Sequence, residues 1–228
     1  MAATVRVEHR IVFAGAAEKG RHGRTLWVMI LLQKMTEGRS MHQHDMPCQE
    51  RWGFVQVYTG NGKGKTTAAL GIALRAAATN RHVAMVAFDK GGNDYSERAI
   101  IAERIPEIEI FATGLDRIDR GTGRFRFGVT GEDRTEGERG LRLVERLFAE
   151  RRHEIIILDE INIATTLGIL EEPDVLRVLE TRPSDIELIL TGREAPRSFL
   201  ALADLISEIH PVAHYFSRGT IARKGIDY

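Results

Sequence analysis

A single cysteine, Cys48, stands among the 228 residues, so no internal disulfide can form and a reducing compartment suits the chain. Long apolar runs are also missing. The longest near the N-terminus, LWVMILL at 26–32, is far too short to span a bilayer. No small-x-small cleavage site follows it, and its lead-in is long for an export signal. Neither sign of charge is in excess. Lys plus Arg and Asp plus Glu number 32 each, which removes the global field that favours nucleic acid or an anionic membrane. There is no internal repeat and no low-complexity tract. What is present is ordinary, with 43% apolar and 28% charged residues, the make-up of a globular protein. The length suits one α/β domain with a real core. The expectation is a cytoplasmic protein with no nucleic-acid or membrane partner.

Residues 1–50 differ from the rest. They hold four of the eight histidines (His9, His22, His42 and His44), scattered charges and no sustained period. Apart from LWVMILL nothing there could bury much surface, so a loosely ordered extension is expected. Met35, Met41 and Met46 are each plausible alternative starts. His42 and His44 with Cys48 suggest a metal group, but a closed zinc site needs four ligands and no second pair follows. Residues 51–228 form the expected domain, in which strands and helices alternate. FVQVY (54–58), VAMVAF (83–88), IEIFAT (108–113), EIIILD (154–159), IELILT (186–191) and VAHYF (212–216) read as strands. TTAALGIALRAAA predicts a helix over 65–79. Leu141, Val144, Leu147 and Phe148 stand at helical spacing in 132–151. Such alternation argues for a mostly parallel central sheet with helices on both faces.

The stretch YTGNGKGKTTAALG (58–71) packs three glycines and two lysines into six residues, Gly60 to Lys65, between a strand and a helix. Glycines let successive N–H groups point into one concavity, which with the helix N-terminus holds a polyphosphate. Lys65 supplies charge to the phosphates, and the Thr66 hydroxyl can bind Mg²⁺. Gly64, Lys65 and Thr66 match the end of the G-x-x-x-x-G-K-[ST] pattern, but Thr59 occupies its first glycine position and Gly60 comes one residue late. The strand EIIILD ends on Asp159, followed by Glu160. A carboxylate there holds Mg²⁺ directly or through water. The pair leaves the chemistry open between a base that activates water and a metal ligand.

The loop GNGKGKTTAALG, the strand end LDE, TGREAP at 191–196, LADLISEI at 202–209 and the ending KGIDY at 224–228 together resemble the ATP:corrinoid adenosyltransferases of cobalamin biosynthesis. The likeness covers about residues 52–228. It implies a RecA-like P-loop domain, homodimeric, that transfers the 5′-deoxyadenosyl group of ATP to Co(I) of a corrinoid and releases triphosphate. It also implies Mg²⁺, a protein reductant such as a flavodoxin, and ATP lying reversed so that C5′ faces the corrinoid. Gly60, Asn61, Gly62, Lys63, Gly64, Lys65, Thr66 and Thr67 would carry the phosphate contacts. Thr66 and Glu160 would hold the metal, with Lys65, Thr66 and Glu160 the residues on which catalysis depends. Arg193, beyond the end of a strand, is a further phosphate candidate, and Lys90 with Gly91 would line the site. His214, inside an apolar run, reads as a core histidine.

One departure stands out. After Ala112-Thr113-Gly114 some members carry a phenylalanine and a tryptophan that displace the lower axial ligand of cobalt. This chain has Leu115 and Arg117 there, with Phe125 and Phe127 ten residues on, spaced to share a face if extended. Two other classes compete with adenosyl transfer. An ATPase or small-molecule kinase would need a lid or acceptor-base segment, which is not evident. A nucleotide-dependent binding module acting on nucleic acid lacks a basic, aromatic-interleaved patch.

Overall fold

Strands that are apolar on both faces must be covered on both faces, and three here are buried along their whole length: Val83–Ala87, Ile155–Asp159 and Glu187–Thr191. The computed structural model describes residues 51–92, 95–117, 126 and 128–228. In chain order the elements are β1 (Val55–Thr59), α1 (Lys65–Ala77), β2 (Val83–Ala87), α2 (Ser96–Arg104), β3 (Ile108–Ala112), α3 (Gly131–Glu150), β4 (Ile155–Asp159), α4 (Ile161–Thr166), α5 (Glu172–Glu180), β5 (Glu187–Thr191), α6 (Arg197–Leu202), β6 (Leu205–Glu208) and a 3₁₀ turn at Tyr215–Arg218. The six strands form one sheet in the order β3-β2-β4-β5-β1-β6. Every pairing is parallel. The expected α/β architecture is therefore present, and among the described strands the sheet is wholly parallel.

Side chains alternate across the sheet. On one face Val83, Met85, Ile155, Ile157 and Ile189 pack with Ala69, Ala73, Ala76 and Ala77 of α1 and Ile101 of α2. The alanine stripe lets α1 lie close to the sheet, which fixes where its N-terminus points. The alternate residues Ala84, Val86, Ile156, Leu158, Leu188 and Leu190 are buried on the other face. There α3 lies against β2 and α5 with Leu141, Val144, Leu147 and Phe148 buried. Each such large side chain contributes about 1.5–3 kcal/mol on burial, enough to hold a helix whose outer face is otherwise charged. A capping box starts α3: the Thr130 hydroxyl accepts from the Asp133 N–H, and the Asp133 carboxylate accepts from the Thr130 N–H.

Three expectations need adjustment. The helix predicted over 65–79 ends at Ala77. The LADLISEI segment supplies a strand, β6, which pairs along the free side of β1 from Gln56↔Leu205 to Thr59↔Glu208. The strand expected at 212–216 does not form. Pro211 has no N–H to offer a ladder, and Val212 and Phe216 stand exposed, so the run has no face to bury. His214 is accordingly not a core residue: it is half-buried and caps the 3₁₀ turn, its Nδ1 accepting from the Phe216 N–H at 3.1 Å. The extension expected at 1–50, with His42, His44 and Cys48, lies outside the described residues, as do Phe125 and Phe127.

The loops after β1, β2, β3, β4 and β5 all leave from the C-terminal edge of the sheet. In open parallel sheets ligands gather at that edge. Three non-glycine residues there adopt left-handed backbone: Asp89 (φ 52°), Glu160 (φ 60°) and Glu194 (φ 51°). Each such residue costs on the order of 1–3 kcal/mol, and such strain clusters at functional sites.

Candidate nucleotide and metal site

The displaced glycine of the loop has a structural cause. Thr59 remains the last residue of β1, with its Oγ accepting from the Ala195 N–H at 3.2 Å. The turn begins at Gly60, which has φ +94°, and a Cβ there would lie 2.4 Å from the Ile209 carbonyl oxygen. The Gly62 N–H donates to that same carbonyl at 2.7 Å. The loop is thus moulded on the residue that follows β6, and only glycine fits its first position. Gly64 then opens α1, and the first helical bond is Ala68 N–H to Gly64 O at 2.8 Å. The N–H groups of Lys65, Thr66 and Thr67 precede it, so no carbonyl of their own helix can accept from them. They form the positive end of the helix dipole, a ready anion site.

Lys65 is buried and folds back into the loop, donating to Gly60 O at 2.7 Å and Gly62 O at 2.9 Å. Burial pushes its pKa down; the Glu160 carboxylate opposes this, and Arg193 and Lys90 add to it. An ammonium so placed among loop carbonyls is poised to prefer a phosphate oxygen.

Beside the loop lies a polar cluster built from three strand ends and the first turn of α1. The Thr66 Oγ donates to Asp159 Oδ1 at 2.9 Å, and the Thr191 Oγ donates to the same oxygen at 2.6 Å. Lys90 Nζ lies 2.6 Å from Asp159 Oδ2, 3.3 Å from Glu160 Oε1 and 3.0 Å from Thr66 Oγ. Burial acts to lower the Lys90 pKa, but the two carboxylates more than offset it and hold the ammonium above its ordinary value. Asp159 is fully buried; Glu160, one residue on, reaches partly into solvent and anchors its N–H on Thr191. Oxygen donors from Thr66, Asp159 and Glu160 suit a hard divalent cation. Among the described residues no group of three or more His, Cys, Asp or Glu is assembled, so phosphate oxygens and water would have to complete the shell.

The Lys90 loop is held on all sides. Arg98 at the start of α2 donates to Lys90 O and Gly92 O, both at 2.7 Å. A Cβ on Gly91 would lie 2.4 Å from the Gly114 carbonyl oxygen. The loops after β2 and β3 therefore interlock backbone to backbone.

The remaining candidates divide. Asn61 and Thr67 are exposed at the loop, and Arg193 is exposed with no hydrogen bond or ion pair among the described residues but close enough to influence Lys65. Lys63 faces another way: its ammonium bonds Asp227 Oδ1 at 2.7 Å and Ile226 O at 2.8 Å, in the GIDY segment. Arg117 does not project as a wedge. It is half-buried, its side chain 9% exposed, paired with Asp89 at 2.7 Å and donating to Gly128 O at 2.6 Å. Sequence reading singled out Asp159 as a strand-terminal acid without assigning it the metal, and it missed Arg98, Thr191, Ile209 and Asp227. The last three lie in the TGREAP, LADLISEI and GIDY segments, whose chemistry becomes visible only once the chain is folded. Arg98 had no local signal.

Comparison with known proteins points one way. A family profile described as ATP:corrinoid adenosyltransferase BtuR/CobO/CobP matches residues 51–228. Corrinoid adenosyltransferase CobA of Salmonella typhimurium LT2 is 36% identical over 180 residues, covering 79% of this chain and 88% of that one. The corrinoid adenosyltransferase of Escherichia coli K12 is 35% identical over 184 residues, again covering 79% and 88%. Among solved structures, a KaiC-like protein from Pyrococcus horikoshii OT3 gives a TM-score of 0.45 at 19% identity over 70% of this chain and 73% of that one, too slight a likeness to build on.

Proposed function

The chain belongs to the ATP:corrinoid adenosyltransferase family, and from that premise we propose how its own residues divide the work. ATP is the co-substrate, the corrinoid is the acceptor, and the activity serves cobalamin biosynthesis or salvage. In the reaction the Co(I) electron pair attacks C5′ of ATP. A Co–C bond forms, the C5′–O bond breaks, and triphosphate departs with that bond's electrons. Co(I) is a strong nucleophile, so no general base is needed. The protein's task is alignment and neutralisation of the departing charge.

Loop N–H groups of residues 63–67 and the Lys65 ammonium would grip the triphosphate. Thr66, Asp159 and Glu160 would hold Mg²⁺, which when bound supplies positive charge to the leaving group. Asp159 joins Glu160 in this role because the Thr66 hydroxyl bonds it directly. Among the described residues Arg193 has no competing partner, which leaves its guanidinium available to an outlying phosphate. Lys63 is assigned to the tail rather than to phosphate. The observation that carries this reading is the contact of Thr66 with Asp159 beside a glycine loop at the C-terminal edge of the sheet.

A homodimer is supported by Val212, Phe216 and Ile221, apolar side chains exposed at 73% or more in the segment after β6. Co(I) must be generated by electron donation, which fits a flavodoxin-type reductant and a cytoplasmic setting, and residues 1–50 are assigned to an extension preceding the catalytic domain. The test is product identity. The protein with MgATP and chemically reduced corrinoid should yield a Co–C bond and triphosphate in equal amounts. ADP or free phosphate without adenosylated corrinoid would instead mark a kinase or ATPase.

A further inference from the structure

We propose that Lys90 is an internal counter-cation that occupies the metal's place between Asp159 and Glu160 and must be displaced when the nucleotide brings its metal. The inference rests on the reading of Thr66, Asp159 and Glu160 as the metal group, and it adds an order of events to that site. The Lys90 ammonium touches all three of those residues, at 3.0 Å, 2.6 Å and 3.3 Å respectively. A divalent ion bound to the same oxygens would meet a like charge at contact distance, so the two cations exclude each other.

The arrangement has a physical reason. Asp159 is fully buried and carries a second carboxylate as its neighbour. Buried carboxylates without a counter-charge are strongly destabilising. Lys90 supplies that charge, and its backbone is fixed for the purpose: Lys90 O accepts from Arg98, and the Lys90 N–H donates to Thr113 O at 3.2 Å. Its side chain, with 16% exposure, is long enough to swing while the backbone stays. With only two carboxylates and a hydroxyl on offer, a free divalent ion gains too little to expel the lysine. A metal arriving with phosphate oxygens gains more, and the expelled ammonium then faces the phosphates. Lys90 thereby makes metal binding conditional on nucleotide.

By linkage, removing the competing cation should tighten nucleotide-free metal binding. Mn²⁺ binding to the full chain, followed by electron paramagnetic resonance without nucleotide, should be on the order of tenfold tighter in Lys90→Met than in the unaltered protein. Lys90→Gln should show the same direction, which guards against a folding defect in one variant. The thermal midpoint of both variants should fall without metal and recover with Mn²⁺, whereas that of the unaltered protein should not respond to Mn²⁺ alone. Adding Asp159→Asn should abolish the gain. If both lysine variants bind Mn²⁺ no better than the unaltered protein, while Asp159→Asn still weakens Mn²⁺·ATP binding, the placeholder role is overturned and the metal site stands. If Asp159→Asn leaves Mn²⁺·ATP binding unchanged, the metal site itself is wrong and the inference falls with it.

Discussion

A buried lysine and a half-buried one lie side by side here, yet they contact different partners. Lys65 contacts neutral carbonyls of its own loop, whereas Lys90 contacts two carboxylates. Lys65 is therefore the one whose charge is uncommitted before a polyphosphate binds. Lys65→Ala should remove most adenosyl transfer, since losing a charged hydrogen bond costs about 1.5–3 kcal/mol. The thermal midpoint should change little, because the bonds lost go to loop carbonyls rather than to the sheet. A folded variant with normal turnover would remove Lys65 from the site. How far such roles can be read from sequence depends on their locality. Lys65 and Thr66 stood out in the sequence because a phosphate-loop pattern concentrates its residues in one short segment. Asp159 and Glu160 stood out as a pair, but the bond from the Thr66 hydroxyl to Asp159 is a tertiary contact that no spacing along the chain gives. Arg98 was not legible at all, since an arginine gripping two carbonyls of another loop leaves no pattern along the chain.

At the scale of elements, the strand starts and helix periods were readable because burial imposes them locally. The exceptions lie where tertiary pairing decides. Among the described strands β6 pairs with β1 alone, and its residues are largely exposed, so its apolar signal is weak. VAHYF has a stronger signal, but Pro211 just before it has no N–H to offer a ladder, and Val212 and Phe216 have no face to bury. Two elements carry testable anchors. At the head of α3, Asp133 accepts a bidentate pair from Arg126 at 2.6 and 2.8 Å as well as its capping bonds. The Arg126 guanidinium holds its carboxyl well below the ordinary range against the opposing effect of burial. A folded-state pKa below the unfolded value of about 3.9 gives stability that is complete above that pH and lost as pH falls below it. Asp133→Asn should therefore lower the midpoint at neutral pH, by an amount typical of a lost cap, about 1 kcal/mol, and flatten the acid limb of the stability curve. An unchanged acid limb would assign that limb to other carboxylates. In the tail, Asp227 gathers Lys63, Tyr215 and Arg223. Asp227→Asn should speed amide hydrogen exchange across 215–228 while exchange in β1, β4 and β5 is unchanged. Equal acceleration in the sheet would mean that the tail supports the core.

For the whole molecule, the balance of charge and the single cysteine excluded classes of function, while the site itself had to be found from segments scattered over the chain. The sheet brings residues 60, 90, 159 and 191 to one edge, an arrangement that follows from strand order and not from any one segment. The same order bears on the first 50 residues. Residues 51–54 are tied to the sheet independently of what precedes them. Glu187 Oε2 accepts from the Gly53 and Phe54 N–H groups at 3.0 and 2.9 Å, Arg182 donates to Gly53 O at 2.8 Å, and Arg81 lies 3.7 Å from the Trp52 ring centre. Those contacts close the start of the domain on the side of the sheet opposite the phosphate loop, with Glu187 at the first residue of β5 and the loop after the last of β1. A chain beginning at Met46 retains every one of them. It should fold with a thermal midpoint within about 2 °C of the full chain, a shift smaller than that expected from 1 kcal/mol in a domain of this size. It should also bind MgATP with unchanged affinity, because no residue assigned to the phosphates or the metal precedes Gly60. Adenosyl transfer should persist as well if residues 1–45 only precede the domain. A truncated protein that keeps its midpoint and its MgATP affinity but loses transfer would instead place those residues over the acceptor, because nucleotide binding and folding would both have been accounted for without them.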